Sequence, residues 1–197
     1  TFGLPVFRHP DDREEIARLL RSVAQFPERS PLVGAYALGK AQRVIRLLRE
    51  AGWDKTIYVH GALERLNALY ERHGVDLGPL EPATTSARKQ DFAGQIVIAP
   101  PSATQDRWSR RFPDPVLAFA SGWMQVRARA RQRGVELPLV ISDHADWDEL
   151  TATVDELRPG ELWITHGREE ALVRWAELHD VPARALALVG YEEEDDD

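Results

Sequence analysis

The stretch from Leu137 to Glu170, LPLVISDHADWDELTATVDELRPGELWITHGREE, limits what this chain can fold into more than any other. Pro138-Leu139-Val140-Ile141 is a short β-prone apolar run, and the polar turn Ser142-Asp143-His144-Ala145-Asp146 follows it. Leu150, Val154 and Leu157 share helical spacing, which predicts a helix from about Asp146 to Leu157, stopped by Pro159-Gly160. Glu161-Leu162-Trp163-Ile164-Thr165 reads as the next strand. Strands joined through a helix are expected to lie parallel, with their carboxyl ends on one edge of a sheet. His144 and His166 would then be neighbours at the edge where open α/β sheets keep their sites. Two unrelated loop histidines would fit the same spacing.

The rest of the chain repeats the alternation. Asp11 or Asp12 caps a helix predicted to run to Gln25, with Ile16, Leu19, Leu20 and Val23 inward. Leu32 to Leu38 reads as a strand, and Gly39-Lys40 opens a helix that ends at Gly52. Thr56 to Val59 is a strand, and Ala62 to Arg72 a helix closed by Gly74. This is the pattern of a doubly wound α/β sheet. The prolines and hydroxyl residues from Asp76 to Gly94 predict a long loop. Gln95 to Ala99 and Val116 to Ala120 are further strands, with a helix between them capped by Ser102. Arg127, Arg129, Arg131 and Arg133 alternate at two residues, which would put all four on one face of a strand, whereas a helix would scatter them.

Composition narrows the class. The 197 residues suffice for one or two domains. There is no cysteine, which excludes disulfides and thiolate metal sites. No apolar run approaches the roughly 18 residues of a membrane span, and no signal peptide is visible. A cytoplasmic protein is the expectation. The chain opens on Thr, in what reads as the middle of a strand-to-loop passage, as a piece of a longer protein would. The net charge is −7, but Glu192 to Asp197 are six consecutive acids, and without them 26 acids face 25 bases. Residues 191–197 read as a solvated acidic tail without structure.

Ser142-Asp143-His144-Ala145-Asp146, followed by Trp163-Ile164-Thr165-His166-Gly167, resembles the last two motifs of the metallo-β-lactamase nucleases with a β-CASP insert. That family includes the cleavage-and-polyadenylation endonuclease, ribonuclease J and Artemis. Tyr36-Ala37-Leu38-Gly39-Lys40-Ala41-Gln42 resembles its first insert helix, and Thr1-Phe2-Gly3-Leu4-Pro5 the segment after its acidic motif. Together with Ala120-Ser121-Gly122-Trp123-Met124, these look most like the bacterial DNA-ligase-associated exonucleases. The resemblance implies an α/β fold in two parts. Residues 10–125 would be a Rossmann-like β-CASP domain. Residues 1–9 and 126–190 would be the C-terminal part of a metallo-β-lactamase αββα sandwich. The His-x-His-x-Asp-His motif, which supplies most metal ligands in the family, is absent from this sequence.

The implied activity is a metal-dependent phosphodiesterase acting on DNA ends, an exonuclease beside a DNA ligase. The implied cofactors are two divalent ions, zinc or manganese. An RNA-processing enzyme and a non-catalytic scaffold are the competing expectations. By the resemblance His166 is a metal ligand, though a loop histidine capping the next helix would look the same. His144 is the histidine that protonates the leaving oxygen, a task that suits imidazole near neutrality. Asp143 or Asp146 would fix its tautomer, and Asp146 reads equally as a helix N-cap. Ser142 would meet phosphate or stabilise a turn. Lys40 would meet phosphate or mark a solvated helix start. Ser121, Gly122 and Trp123 form a loop in which Trp123 would stack on a base or fill core. Arg127 heads a row suited to a phosphate backbone. DNA-directed family members carry valine where His166 stands, so that residue points to RNA, while the other motifs point to DNA.

Overall fold

The computed structural model describes residues 1–85 and 88–186. The predicted acidic tail, and residues 187–190 before it, lie outside the described residues. The described residues form two compact units: residues 9–143, and residues 1–8 with 144–186.

The larger unit is an α/β sandwich. Its helices are α1 (Asp12–Gln25), α2 (Lys40–Glu50), α3 (Gly61–Arg72), α4 (Pro101–Thr104) and α5 (Arg127–Gln132). Its strands are β1 (Ser30–Gly34), β2 (Ile57–Val59), β3 (Leu80–Pro82), β4 (Val97–Ala99), β5 (Pro115–Ala120) and β6 (Leu137–Leu139). They pair in the order β3-β2-β4-β1-β5-β6, and each pairing is parallel. This is the α/β class expected from the alternation.

Alternation along the strands sends side chains to two cores. Val33, Ala35, Ile57, Val59, Ile98, Ala118 and Leu139 face α1, α2 and α3, where Ile16, Leu19, Ile45, Leu48 and Leu63 are fully buried. Each such aliphatic side chain is worth about 1.5–3 kcal/mol relative to exposure. Leu32, Val97 and Ala99 face the other side, against Ala103, Phe92 and Phe112, while Phe119 packs there on Met124 and Ala130. Gly34 permits that second layer to close: a Cβ on it would lie 2.9 Å from Phe119 Cδ2.

Several expectations are corrected. The predicted loop from 76 to 94 contains the edge strand β3 and a 3-10 turn, Lys89–Phe92. Its backbone pairs with β2, so proline at the third position of an edge strand is tolerated. The arginine row is helix, not strand. Alanines between the arginines favour helix, and Ala130 supplies the inward contact. The larger unit runs on to Asp143, since β6 pairs with β5 and ties residues 126–143 to the sheet. The expectation that the strands before His144 and His166 share a sheet fails. β6 edges the six-stranded sheet, whereas the next strand belongs to the smaller unit.

The smaller unit holds α6 (Trp147–Leu157), β7 (Leu162–Ile164), α7 (Glu169–Leu178) and β8 (Ala183–Ala185). β7 and β8 form a separate two-stranded parallel sheet. Trp147, Ile164 and Leu172 make its own core, which is why β7 does not join the larger sheet. Among the described residues no helix is long and apolar enough to cross a membrane.

Candidate functional site

Parallel strands bring the carboxyl ends of β1, β4, β5 and β6 to one edge of the larger unit. The chain leaves β1 for β2 on one side and leaves the adjacent β5 for β6 on the other. Neighbouring strands whose connections diverge open a crevice at their carboxyl ends, the usual ligand position in open α/β sheets. Two of the predicted stretches meet here: Ala35–Gly39 after β1, and Ser121–Trp123 after β5. Tyr36 and Leu38 are 58% and 65% exposed at this edge.

The first loop is fastened by a buried amide. Gln42 Oε1 accepts from the Gly39 amide at 2.8 Å, while its Nε2 donates to the Ala37 carbonyl and to Asn67 Oδ1. Gly39 sits at φ 81°, a conformation suited to glycine. Lys40 then points inward. It is only 3% exposed, so it is neither a solvated helix start nor an open phosphate contact. Its ammonium donates to the Ile141 carbonyl at 2.8 Å and lies 3.2 Å from Asp143 Oδ2. Burial pushes the ammonium below the ordinary lysine range, and the Asp143 carboxylate opposes that shift.

The segment after β6 is clamped by two further charged side chains, which sequence reasoning missed. Arg43 donates to the Ser142 carbonyl at 2.6 Å and pairs with Asp12. Buried Glu15 accepts from the Val140 amide at 2.7 Å and pairs with Arg18 at 2.8 Å. Glu15 left a trace in the sequence, as an acid beside Ile16 on the apolar stripe of its helix; Arg43 left none. Ser142 is itself buried. Lys40, Arg43, Ser142 and Asp143 thus form one polar cluster that fixes the turn before His144.

On the neighbouring strand, Ser121 is buried and its hydroxyl accepts from the Trp123 amide at 3.3 Å, starting the 3-10 turn Gly122–Gln125. Gly122 is buried within that turn. Trp123 is half-buried, with the Arg129 guanidinium 3.9 Å from its ring centroid. Arg127, the first residue of α5, is exposed.

The smaller unit holds the remaining candidates. The His144 ring meets buried Phe2 edge to face at 6.2 Å. Asp146 is the N-cap of α6 in a reciprocal box: its Oδ1 accepts from the Glu149 amide at 3.0 Å, and Glu149 Oε2 accepts from the Asp146 amide at 3.1 Å. His166 lies in the left-handed region at φ 66°, followed by Gly167 at 81°, and its Nδ1 is 2.9 Å from Thr165 Oγ1. A non-glycine residue there is uncommon, though histidine adopts it more readily than most.

A two-ion centre needs several ligands, and among the described residues no three histidine or carboxylate side chains converge to hold a metal. The residues this chain gathers therefore do not fit that centre by themselves; His166 alone would offer one ligand. His60, after β2, proves structural. Its Nδ1 accepts from the Ala62 amide at the start of α3, and its ring meets Trp108 edge to face at 4.7 Å.

No family model matches the sequence. The resemblance to the β-CASP nucleases therefore rests on the motifs quoted above. A crystal structure of a protein of unknown function from Enterococcus faecalis is similar at a TM-score of 0.48 and 13% identity, covering 79% of this chain and 42% of that one. The chain is also similar to a probable DNA ligase from Opitutus terrae, 27% identical over 194 residues, which covers 89% of this chain and 18% of that protein. It therefore spans less than a fifth of that relative's length.

Proposed function

We propose that the gene product carrying this sequence processes DNA ends, as a metal-dependent phosphodiesterase working beside a ligation activity. The observation that carries the reading is the similarity, across 89% of the chain, to part of a protein named as a probable DNA ligase. Ligation joins a 3′-hydroxyl to a 5′-phosphate, so an activity that trims unsuitable ends and a ligase serve one substrate. The motif resemblance points the same way. On this reading the larger unit corresponds to a β-CASP insert and the smaller to the closing part of a metallo-β-lactamase sandwich. His144 delivers a proton to the leaving oxygen. His166 would offer one ligand to a zinc or manganese ion held mainly by residues outside this chain, and such an ion would supply charge stabilisation at the scissile phosphate.

The test uses end-labelled DNA and RNA oligonucleotides of matched sequence, open and circularised, with added zinc or manganese. DNA shortened from its ends, with circles untouched, supports the reading. Cleavage of circles, RNA consumed faster than DNA, or no cleavage by the gene product overturns it. His144→Ala should lower turnover roughly 10²–10⁴-fold without changing metal content, whereas His166→Ala should lower metal content.

A further inference from the structure

The face of the larger unit opposite α1–α3 carries an unusual charge. Between Pro101 and Val135 there are seven arginines against two acids, in a chain of net charge −7. The 3-10 turn Arg107–Arg111, which follows α4, and helix α5 lie on this same side of the sheet. Gln105 joins them by donating to the Arg133 carbonyl at 2.8 Å. Asp106 and Asp114 do not neutralise the patch. One caps the 3-10 turn through the Arg107 amide, and the other pairs with Arg29.

Helix geometry sorts the four arginines of the row into two couples, each four residues apart. Arg129 and Arg133 are laid over the rings of Trp123 and Phe119, at 3.9 and 5.5 Å. Arg127 and Arg131 occupy the other side and are exposed, as are Arg107 and Arg110. Among the described residues none of these four makes an ion pair. Several arginines elsewhere are paired instead: Arg18 with Glu15, Arg43 with Asp12 and Arg46 with Glu50. Like charges four residues apart weaken a helix, and six residues is already short for one. Stability alone does not account for the arrangement.

We infer that this face, with Arg107, Arg110, Arg127 and Arg131 as its charges, binds the phosphodiester backbone of a DNA strand. α5 begins beside Trp123, at the carboxyl edge of β5, and runs back toward the start of β6. The arginines therefore form a strip that leads away from the edge holding the candidate site. Guanidinium groups suit phosphate because they present paired donors. Contacts of this kind read no sequence and fall with salt. The choice of DNA among polyanions rests on the proposed function; the existence of an anion-binding face does not.

The experiment measures binding of the 197-residue chain to a fluorescent single-stranded DNA by anisotropy, in EDTA and across salt concentrations, so cleavage plays no part. Arg127→Ala/Arg131→Ala and Arg107→Ala/Arg110→Ala should each weaken binding roughly tenfold or more at 0.1 M salt. Each should also flatten the log–log salt slope by about 1.4, for two contacts at ~0.7 each. The α5 double variant should melt no lower than the parent, because alanine favours helix and the repulsion is gone. Arg65→Ala/Arg72→Ala, which removes equal charge from exposed positions on α3, should change affinity little. An equal loss in that control, or unchanged binding in both strip variants, overturns the inference. So does tighter binding of polyglutamate than of DNA, which would make the face a site for an acidic protein. Binding as expected in a gene product that cleaves nothing would leave the strip standing and remove the nuclease reading.

Discussion

The Lys40 ammonium and the Ile141 carbonyl, 101 residues apart in sequence, are joined by a buried hydrogen bond of 2.8 Å. It ties the start of α2 to the segment that leaves β6, and Asp143 completes the contact at 3.2 Å. A charged group is buried here as a strut, and its worth can be measured.

Lys40→Met should cost about 1–3 kcal/mol, because the Ile141 carbonyl loses a buried donor. Urea unfolding of the two proteins checks it. The pH dependence has a definite sign. The folded ammonium titrates below the ordinary lysine value of 10.5, so the unfolded chain holds more protons in the window between the two. Stability should therefore rise with pH through that window in the parent relative to the variant. A constant difference between them from neutral pH to about 10.5 would refute the buried ammonium.

Asp146 separates a cap from an orienting group. Asp146→Ala should destabilise by about 1 kcal/mol through loss of the α6 cap, and Asp146→Asn should restore most of that. Thermal melts read the cap, and the end-processing assay reads any service to His144. If Asp146→Asn melts like the parent but turns over at least tenfold more slowly, Asp146 orients the imidazole. Parallel recovery of both confines it to the cap.

His60 should make stability sensitive to mild acid. Burial, and then the nearby Arg111, lower its titration below the ordinary 6.5. Below 6.5 the unfolded chain takes up a proton that the folded one resists, so stability falls as pH drops through the window. His60→Asn keeps an acceptor for the Ala62 amide and removes the titration. Urea midpoints at pH 7 and pH 5 should differ less in the variant than in the parent; an equal difference would exclude His60 as the source.

Local signals acted within a turn of helix, and these were legible. The Asp11 and Asp146 caps, the apolar spacing of α1, α2 and α6, and the glycine and proline stops placed most helices to within a residue or two. The polar turns after the strands, which carry the candidate histidines and Ser121, were legible for the same reason. What depended on distant partners was not. The row from Arg127 to Arg133 has strand alternation, but alanine propensity and the contacts of Ala130 make it a helix. β3 hides among prolines because three residues carry almost no pattern, and only the edge of β2 gives them a partner. Two similar apolar runs, Leu137–Leu139 and Leu162–Ile164, went to different sheets, since each strand joins whichever edge and core its neighbours leave open. Likewise the sequence alone made Lys40 a helix start, and only packing against a segment 101 residues away decided that its charge would be buried. Caps and periodicity are written in residues one to four positions apart, whereas strand partners and buried charges are selected by contacts that exist only once the chain has closed on itself.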